Sequence, residues 1–424
     1  MSVRIPCIND TCSGSILPAT AEKTGGYCRP CLQAIKRKEQ EDYIKKNRRD
    51  VDLYKGITNL AEVLIIMHQP KSYDPLINYL GYEKSREEVY ALLSEEETAE
   101  LKQAVLDLTL QEAWETAEQI VLEMACFTNA SLTECLEALV EAKSYRASVA
   151  FKGASEKIRD ELIQQVQSDA CNRSELLLAL AWIGDQKVVQ LFNEWRSTPP
   201  EWKGELYVPP EEYSLETGWE LTKDGEKREL FYRDCYGLEK ADGVQPEAVR
   251  IIGEHEEKCR WCGTALTVLF DFDLTHPSLG FLQLPGTRLR IAACHICTCY
   301  GPVYTDIDGN GLSAWSQMNE RPDYLPSDIG PDEKIENIHS LVMAKEKRSC
   351  YYAASQFLET SISQIGGHPT WIQDAEYPKC PKCATSMKFV GQVEGCDTMQ
   401  YGEGVYYAFL CKECSMAATH YQQT

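Results

Sequence analysis

The sequence predicts an α+β multidomain protein in which an α-helical region is followed by a duplicated, β-rich domain held together by cysteine sites. Three observations predict it. Apolar residues between positions 53 and 198 recur at three- and four-residue spacing, the period of a helix face. Composition shifts at Thr198-Pro199-Pro200 towards Pro, Gly, Tyr and Trp. Beyond that point, two pairs of Cys-x2-Cys knuckles each bracket a run of β-forming residues.

The knuckles come first because the rest is organised around them. Cys380/Cys383 and Cys411/Cys414 flank 27 residues, and Cys259/Cys262 and Cys294/Cys297 flank 31. Two such knuckles supply four thiolates, which can close a tetrahedron around Zn²⁺. After each first knuckle three residues precede an apolar run, Leu266 to Asp273 and Met387 to Glu394. The matched register reads as an internal duplication, and two similar closed sites read as structural staples rather than active centres. The spacing leaves open whether each half closes its own site or the knuckles exchange. A third set, Cys7-x4-Cys12 with Cys28-x2-Cys31, reads as an N-terminal zinc ribbon over residues 1–35, with Gly25-Gly26 suited to the turn before Cys28. Zinc is the expected cofactor, and these twelve cysteines are its expected ligands.

The totals bound the class. With 424 residues the chain is long enough for two or three cores. Nineteen cysteines, ten of them in five Cys-x2-Cys pairs, with no apolar signal-peptide core at the start and no run of membrane-span length, point to zinc in a reducing cytoplasm rather than to disulfides. Net charge is −22, yet residues 1–50 hold ten Lys/Arg against six Asp/Glu, which leaves −26 for the remainder. A body this acidic disfavours nonspecific nucleic-acid binding and attracts basic partners, and it also serves solubility.

In chain order, residues 36–52 form an expected charged linker helix. Lys36, Arg37, Lys38, Lys45, Lys46, Arg48 and Arg49 are interspersed with Glu39, Glu41 and Asp42. A ribbon followed by a basic helix offers nucleic-acid contact, but the mixed charges favour a hydrated linker. Within 53–198, capping-box spacings at Ser94/Glu97, Thr109/Glu112 and Ser131/Glu134 predict helix starts. The sharpest unit is Leu176 to Ile183, the turn Gly184-Asp185, and the return helix from Val188. It resembles a HEAT-like repeat, whose helix pairs often carry an Ile-Gly-Asp turn; a plain helical bundle is the alternative. Cys126, Cys135 and Cys171 are expected as buried small apolar residues. Residues 199–424 form the β-rich duplicated domain, opening with a hairpin at Trp219 to Arg233 whose turn is Asp224-Gly225. Asp306-Ile-Asp-Gly-Asn-Gly311 lacks the twelfth-position glutamate of a calcium loop and is expected to be a turn. His295 and Cys299 are potential substitute ligands without an obvious catalytic partner.

Ser363-Gln-Ile-Gly-Gly-His-Pro-Thr-Trp371, then Tyr377-Pro378 and Met387-Lys-Phe-Val-Gly-Gln392, resembles the YwqG family of bacterial proteins. The resemblance covers about sixty residues and extends over 199–424 if the duplicated half belongs to it. It implies a mixed, β-rich fold and no established chemistry; some members look like immunity proteins that bind and block a toxin. The eukaryotic programmed-cell-death-2 proteins are distantly similar, being zinc-binding chaperones of a basic client. Gly366, Gly367 and Pro369 have a structural reading, a turn before a buried Trp371, and His368 with Gln373 offers a polar rim for a ligand.

These readings converge on a zinc-stabilised cytoplasmic module for protein–protein interaction, immunity-like or chaperone-like, with a basic protein partner. Alternatives are an enzyme with an unrecognised site in the β domain, or nucleic-acid contact through the N-terminal ribbon. No phosphate-binding Gly loop, His-Glu-x-x-His or Gly-x-Ser-x-Gly occurs. The expectation is therefore a non-enzymatic chain whose oligomeric state the sequence leaves open.

Overall fold

The computed structural model describes residues 4–240, 248–327 and 334–423. The chain divides into two compact units, Met1–Ser85 and Arg86–Thr424. Both are mixed α+β in content.

The first unit opens with β1 (Ile5–Pro6) and β2 (Ser15–Ile16), an antiparallel pair, followed by α1 (Pro18–Thr24) and α2 (Arg29–Asn47). Gly25, at φ +62°, ends α1 in the left-handed conformation that a glycine adopts without Cβ strain. The charged helix is not a separate linker beginning at position 36. It starts at the second knuckle, with Cys28 as its N-cap, so the cysteine site and the basic run share one rigid element. Then come β3 (Arg49–Val51), α3 (Leu60–His68) and β4 (Ile77–Tyr79). Strands β3 and β4 pair in parallel in a stretch expected to be helical throughout; three residues each are too few to show an alternation.

In the second unit, α4 (Arg86–Leu92), α5 (Glu95–Leu110), α6 (Trp114–Phe127), α7 (Thr133–Glu141), α8 (Glu156–Ser168), α9 (Arg173–Ile183) and α10 (Gln186–Ser197) follow one another. Ser94 and Glu97 form the expected capping box. The other two boxes do not form. Thr109 lies inside α5 and returns its hydroxyl to the Val105 carbonyl (2.8 Å), and α7 starts after Leu132 without a side-chain cap. The turn between α9 and α10 matches its sequence reading: Gly184 is left-handed, and the Asp185 carboxylate accepts from Val188 N (3.0 Å). Cys126 and Cys135 are buried as expected, whereas Cys171 sits exposed in the loop before α9.

After a short helix, α11 (Tyr213–Glu216), come β5 (Trp219–Leu221) and β6 (Lys227–Glu229), the expected hairpin, with Gly225 at φ +82° in its turn. The remaining strands are β7 (Tyr232–Lys240), β8 (Val249–Lys258), β9 (Ala265–Asp273), β10 (Arg288–Ala293), β11 (Val303–Ile307), β12 (Ser313–Trp315), β13 (Leu341–Met343), β14 (Gln364–Gly367), β15 (Lys388–Glu394), β16 (Val405–Cys411) and β17 (Met416–Gln422). Eight of them form an antiparallel sheet in the order β12-β11-β17-β16-β15-β14-β7-β13, and β10-β9-β8 form a second.

Strand β16 shows why the large sheet lies in the middle. Tyr406, Ala408 and Leu410 face a core shared with Phe270, Phe272 and Ile291 of the small sheet. Val405, Tyr407 and Phe409 face a second core with Trp371 and Tyr377. A strand buried on both sides needs apolar residues without alternation, which Val405 to Cys411 supplies. The helices close on the same body. Trp182 of α9 lies 4.9 Å from the His368 ring and 5.8 Å from Tyr351, Phe127 lies 5.0 Å from Tyr352, and Trp219 Nε1 donates to Ala181 O (2.9 Å). Of the helical region expected over 53–198, residues 86–198 therefore share one unit with the β-rich region, whereas residues 53–85 fall in the first unit.

Candidate metal centres

Each of the three cysteine quartets assembles from the residues expected of it, and no knuckle exchanges between halves. The ligand atoms of Cys7, Cys12, Cys28 and Cys31 lie within 4.8 Å of one another, as do those of Cys259, Cys262, Cys294 and Cys297, and of Cys380, Cys383, Cys411 and Cys414. Sulfur–sulfur separations are 3.6 Å for Cys12–Cys28, 3.6 Å for Cys259–Cys297, 3.5 Å for Cys262–Cys294 and 3.7 Å for Cys383–Cys411. A tetrahedron with metal–sulfur bonds of about 2.3 Å has edges of about 3.8 Å, whereas a disulfide needs about 2.05 Å. All of these cysteines are free thiols. The quartets thus have the geometry to hold a metal ion.

The first quartet is built by a hairpin and a helix start. Strands β1 and β2 bring Cys7 and Cys12 together, with Cys7 N donating to Gly14 O (2.8 Å). Cys28 caps α2 and Cys31 lies in its first turn; the Asn9 contact lowers the Cys31 thiol, but the neighbouring Cys28 and Cys12 sulfurs carry it up to about 12. Three N–H groups point at sulfur: Cys28 N at Cys7 (3.2 Å), Gly14 N at Cys12 (3.4 Å) and Asn9 Nδ2 at Cys31 (3.3 Å). The local core is Cys7, Ile16 and Cys28, packed by Cys12, Ala21, Tyr27 and Cys31. So few apolar groups bury little surface against the ordering of the segment, and a metal ion held by the quartet could supply the staple.

The other two quartets share one plan. A first knuckle precedes a β-hairpin and a second follows it: Cys259/Cys262, β9, β10, Cys294/Cys297, and Cys380/Cys383, β15, β16, Cys411/Cys414. The first knuckles match bond for bond. Cys259 N donates to Thr264 O (2.8 Å) and Gly263 N to Cys259 O (2.9 Å); Cys380 N donates to Thr385 O (2.9 Å) and Ala384 N to Cys380 O (2.7 Å). Gly263 (φ +79°) and Ala384 (φ +58°) are both left-handed, and Lys258 pairs with Ala265 as Lys379 does with Ser386. The left-handed residue and the threonine after each first knuckle are site-building positions that the cysteine spacing alone did not mark. The signal was present, as a small residue followed by Thr in both copies. The second knuckles differ: Cys294 to Cys297 runs into a short helical turn with Thr298 N on Cys294 O (3.0 Å), while Cys411 ends β16.

Electrostatics within the quartets favour a cation. The adjoining Cys294 and then Cys297 thiols pull the Cys259 thiol well down, and the same contact pushes Cys297 far up. The Thr385 side chain and backbone bring Cys383 down to about 6, and the Cys28 backbone N–H brings Cys7 down to about 7. Thiolates this close repel one another, and a divalent ion at their centre supplies the compensating charge.

The remaining candidates stand apart. The ligand-atom group at Cys294/Cys297 includes neither His295, which is buried, nor Cys299, which is exposed. Glu394, Cys396 and Asp397 form a fourth group of ligand atoms, but Asp397 already accepts from Ser363 Oγ (2.6 Å). Asp308 of the calcium-like loop accepts from Asn310 N and Leu312 N (2.8 Å each) in the β11–β12 turn, as expected of a turn. His368 is not a polar rim. It is 0 % exposed, its Nδ1 lies 2.8 Å from Pro369 O, and its ring packs on Trp182 and Phe231. Gln373 is exposed and donates to Gln423 O (2.9 Å). Gly366 and Gly367 take φ +66° and +70°, and Trp371 is buried, so this motif builds the fold. No helix among the described residues is long and apolar enough to cross a membrane.

One curated relative matches along the whole chain: the protein described as uncharacterized protein YpfL, from Salmonella typhimurium strain LT2. It is 39% identical over 432 residues, covering 100% of both chains. No protein-family model matches, and no solved structure matches.

Proposed function

The chain belongs to the family of the Salmonella typhimurium YpfL protein, and we propose that it is a zinc-stabilised, non-enzymatic protein-binding module whose partner is a basic protein. The carrying observation is charge: residues 86–424 hold 30 Lys/Arg against 55 Asp/Glu, a net −25. A surface with this field steers and retains cationic partners, and salt weakens it. Zinc is the ion proposed for the quartets because four sulfurs in a tetrahedron suit it and, in a closed site, give it a structural role. Four protein ligands per quartet leave no open position for substrate or activated water, which favours binding over hydrolysis.

The same reading takes residues 259–297 and 380–414 as a duplication, supported by their matched first knuckles, and α9–α10 as a HEAT-like pair, supported by the Gly184-Asp185 turn. It keeps the YwqG-like resemblance of residues 363–392 and, with it, an immunity-like or chaperone-like role in the cytoplasm. The exposed carboxylates Glu95, Glu96 and Glu100 of α5 are part of the proposed contact surface.

The test is affinity purification of the full chain at low and high salt, beside the triple variant E95K/E96K/E100K. A basic protein retained in stoichiometric amount at low salt, released by high salt and lost from the variant, is the expected result. Retention of nothing beyond the tag-only control, or of a partner indifferent to both salt and charge reversal, removes the proposal.

A further inference from the structure

The first unit differs from the second in sign. Residues 1–85 carry 13 Lys/Arg and 10 Asp/Glu, a net +3 beside the −25 of the rest. Its longest element is also unusual: α2 spans 19 residues and buries none of them. Its start packs on the local core through Cys31, but no residue along its length is fully buried, so packing explains little of its far half. Its charges are not uniform either. Glu39, Glu41 and Asp42 break up the middle, whereas Lys45, Lys46, Arg48 and Arg49 close the end without a carboxylate between them, all exposed.

That basic end opens on a cleft of about 460 Å³, lined by Ile44, Arg48, Lys71, Tyr73, Asp74 and Tyr79. The volume falls in the range of about 300–1,000 Å³ typical of small-ligand sites. Arg48 Nη2 donates to Asn78 Oδ1 (3.2 Å), and Asn78 in turn donates to Asp50 (2.7 Å), so the guanidinium is held at the cleft wall. The Lys71 ammonium lies 5.8 Å from the Tyr54 ring centroid and 6.0 Å from that of Tyr79. The one carboxylate of the lining, Asp74, is occupied in its own turn, accepting from Leu76 N (2.9 Å). Tyr73 stands 91% exposed with no ring partner among the described contacts.

We propose that this cleft and the basic end of α2 bind single-stranded nucleic acid, with phosphates on Arg48, Lys71 and the Lys45–Arg49 run and an unpaired base stacked on Tyr73. Cations grouped around one exposed aromatic ring, Tyr73, fit a strand whose bases are free to stack. A duplex fits less well: its bases are withheld from Tyr73, and α2 laid along a groove would bring Glu39, Glu41 and Asp42 against phosphate.

The test is fluorescence anisotropy on the full chain as purified, with labelled oligothymidylate and oligouridylate of about 20 nucleotides, a duplex of equal length, and polyglutamate as competitor. The single strands are expected to bind at about 50 mM salt, with a log–log salt slope near −3 for about four phosphates neutralised. Replacing the stacking ring in Tyr73→Ala weakens binding roughly tenfold and leaves the slope unchanged. Arg48→Ala and Lys71→Ala each flatten the slope by about 0.7. Tyr73 is solvent-exposed, so an unchanged circular dichroism spectrum separates a lost contact from a lost fold. Absence of binding at low salt overturns the proposal, and the cations then serve only the helix end. Equal binding of duplex with a silent Tyr73→Ala overturns it as general polyanion attraction. Displacement by polyglutamate as efficient as by oligothymidylate overturns it in favour of an acidic peptide.

Discussion

Glu216 gives the most quantitative prediction. It is the last residue of α11, largely buried, and its carboxylate accepts from Ala375 N (2.5 Å). Burial raises its pKa from 4.5 to about 7, the Ala375 hydrogen bond offsetting part of that. A carboxyl raised in the folded state stabilises the fold while it is protonated. The benefit is complete below the unfolded value of 4.5 and is lost as pH climbs through about 7. At 1.36 kcal/mol per unit, ionisation costs about 2 kcal/mol at pH 6 and about 3 kcal/mol above pH 8. Glu216→Gln keeps an oxygen for Ala375 N and cannot ionise. The variant should therefore exceed the wild type in stability by about 2 kcal/mol at pH 6 and about 3 kcal/mol at pH 8.5. Urea denaturation of both proteins between those pH values, above the range where protons compete with metal for thiolates, reads the difference. An advantage that is flat with pH, or a variant less stable than the wild type at pH 8.5, refutes the account of Glu216 as a buried acid.

Elemental analysis should find about three zinc ions per chain. A chelator should empty the quartet of Cys259, Cys262, Cys294 and Cys297 last, because three of its four residues are buried, while Cys383 is exposed in the C-terminal quartet; Cys383→Ser should delete an early phase of metal release. Asp185→Ala removes both the cap of α10 and the 2.6 Å partner of Arg159 Nη1, and should lower stability by about 2 kcal/mol in urea titration. At Gly366 the backbone is left-handed and a Cβ would overlap the Asp234 carbonyl oxygen, so Gly366→Ala should cost more than about 2 kcal/mol by the same assay.

What was legible in the sequence was local. The Gly184-Asp185 turn, the Asp224-Gly225 hairpin and the Ser94 cap each rest on residues within a few positions of one another, and a knuckle of two cysteines carries its own geometry. Local patterns also mislead. Thr109 and Glu112 have the spacing of a cap, but Thr109 lies in the last turn of α5, where the Val105 carbonyl competes for its hydroxyl. What was not legible was distant. Nothing near Trp182 announces that it packs on Tyr351 and His368, yet that contact joins the helices to the sheet and turns His368 from an expected rim into a buried ring. Pairings such as β7 with β13 and β14 are likewise decided by tertiary packing rather than by the three or four residues of the short strands.

The two binding proposals rest on opposite charges, and this determines how they can be separated. Salt weakens a basic protein on an acidic surface and a phosphate chain on a basic one alike, so salt sensitivity by itself distinguishes neither. The location of the substitution does. Glu95, Glu96 and Glu100 belong to the unit of net −25; Arg48, Lys71 and Tyr73 belong to the unit of net +3. If charge reversal on α5 releases a protein while nucleic-acid affinity holds, and Tyr73→Ala does the converse, the chain carries two separable binding activities. If one set of substitutions abolishes both, a single partner contains both chemistries, and a basic protein already bound to nucleic acid becomes the simpler description of what this family engages.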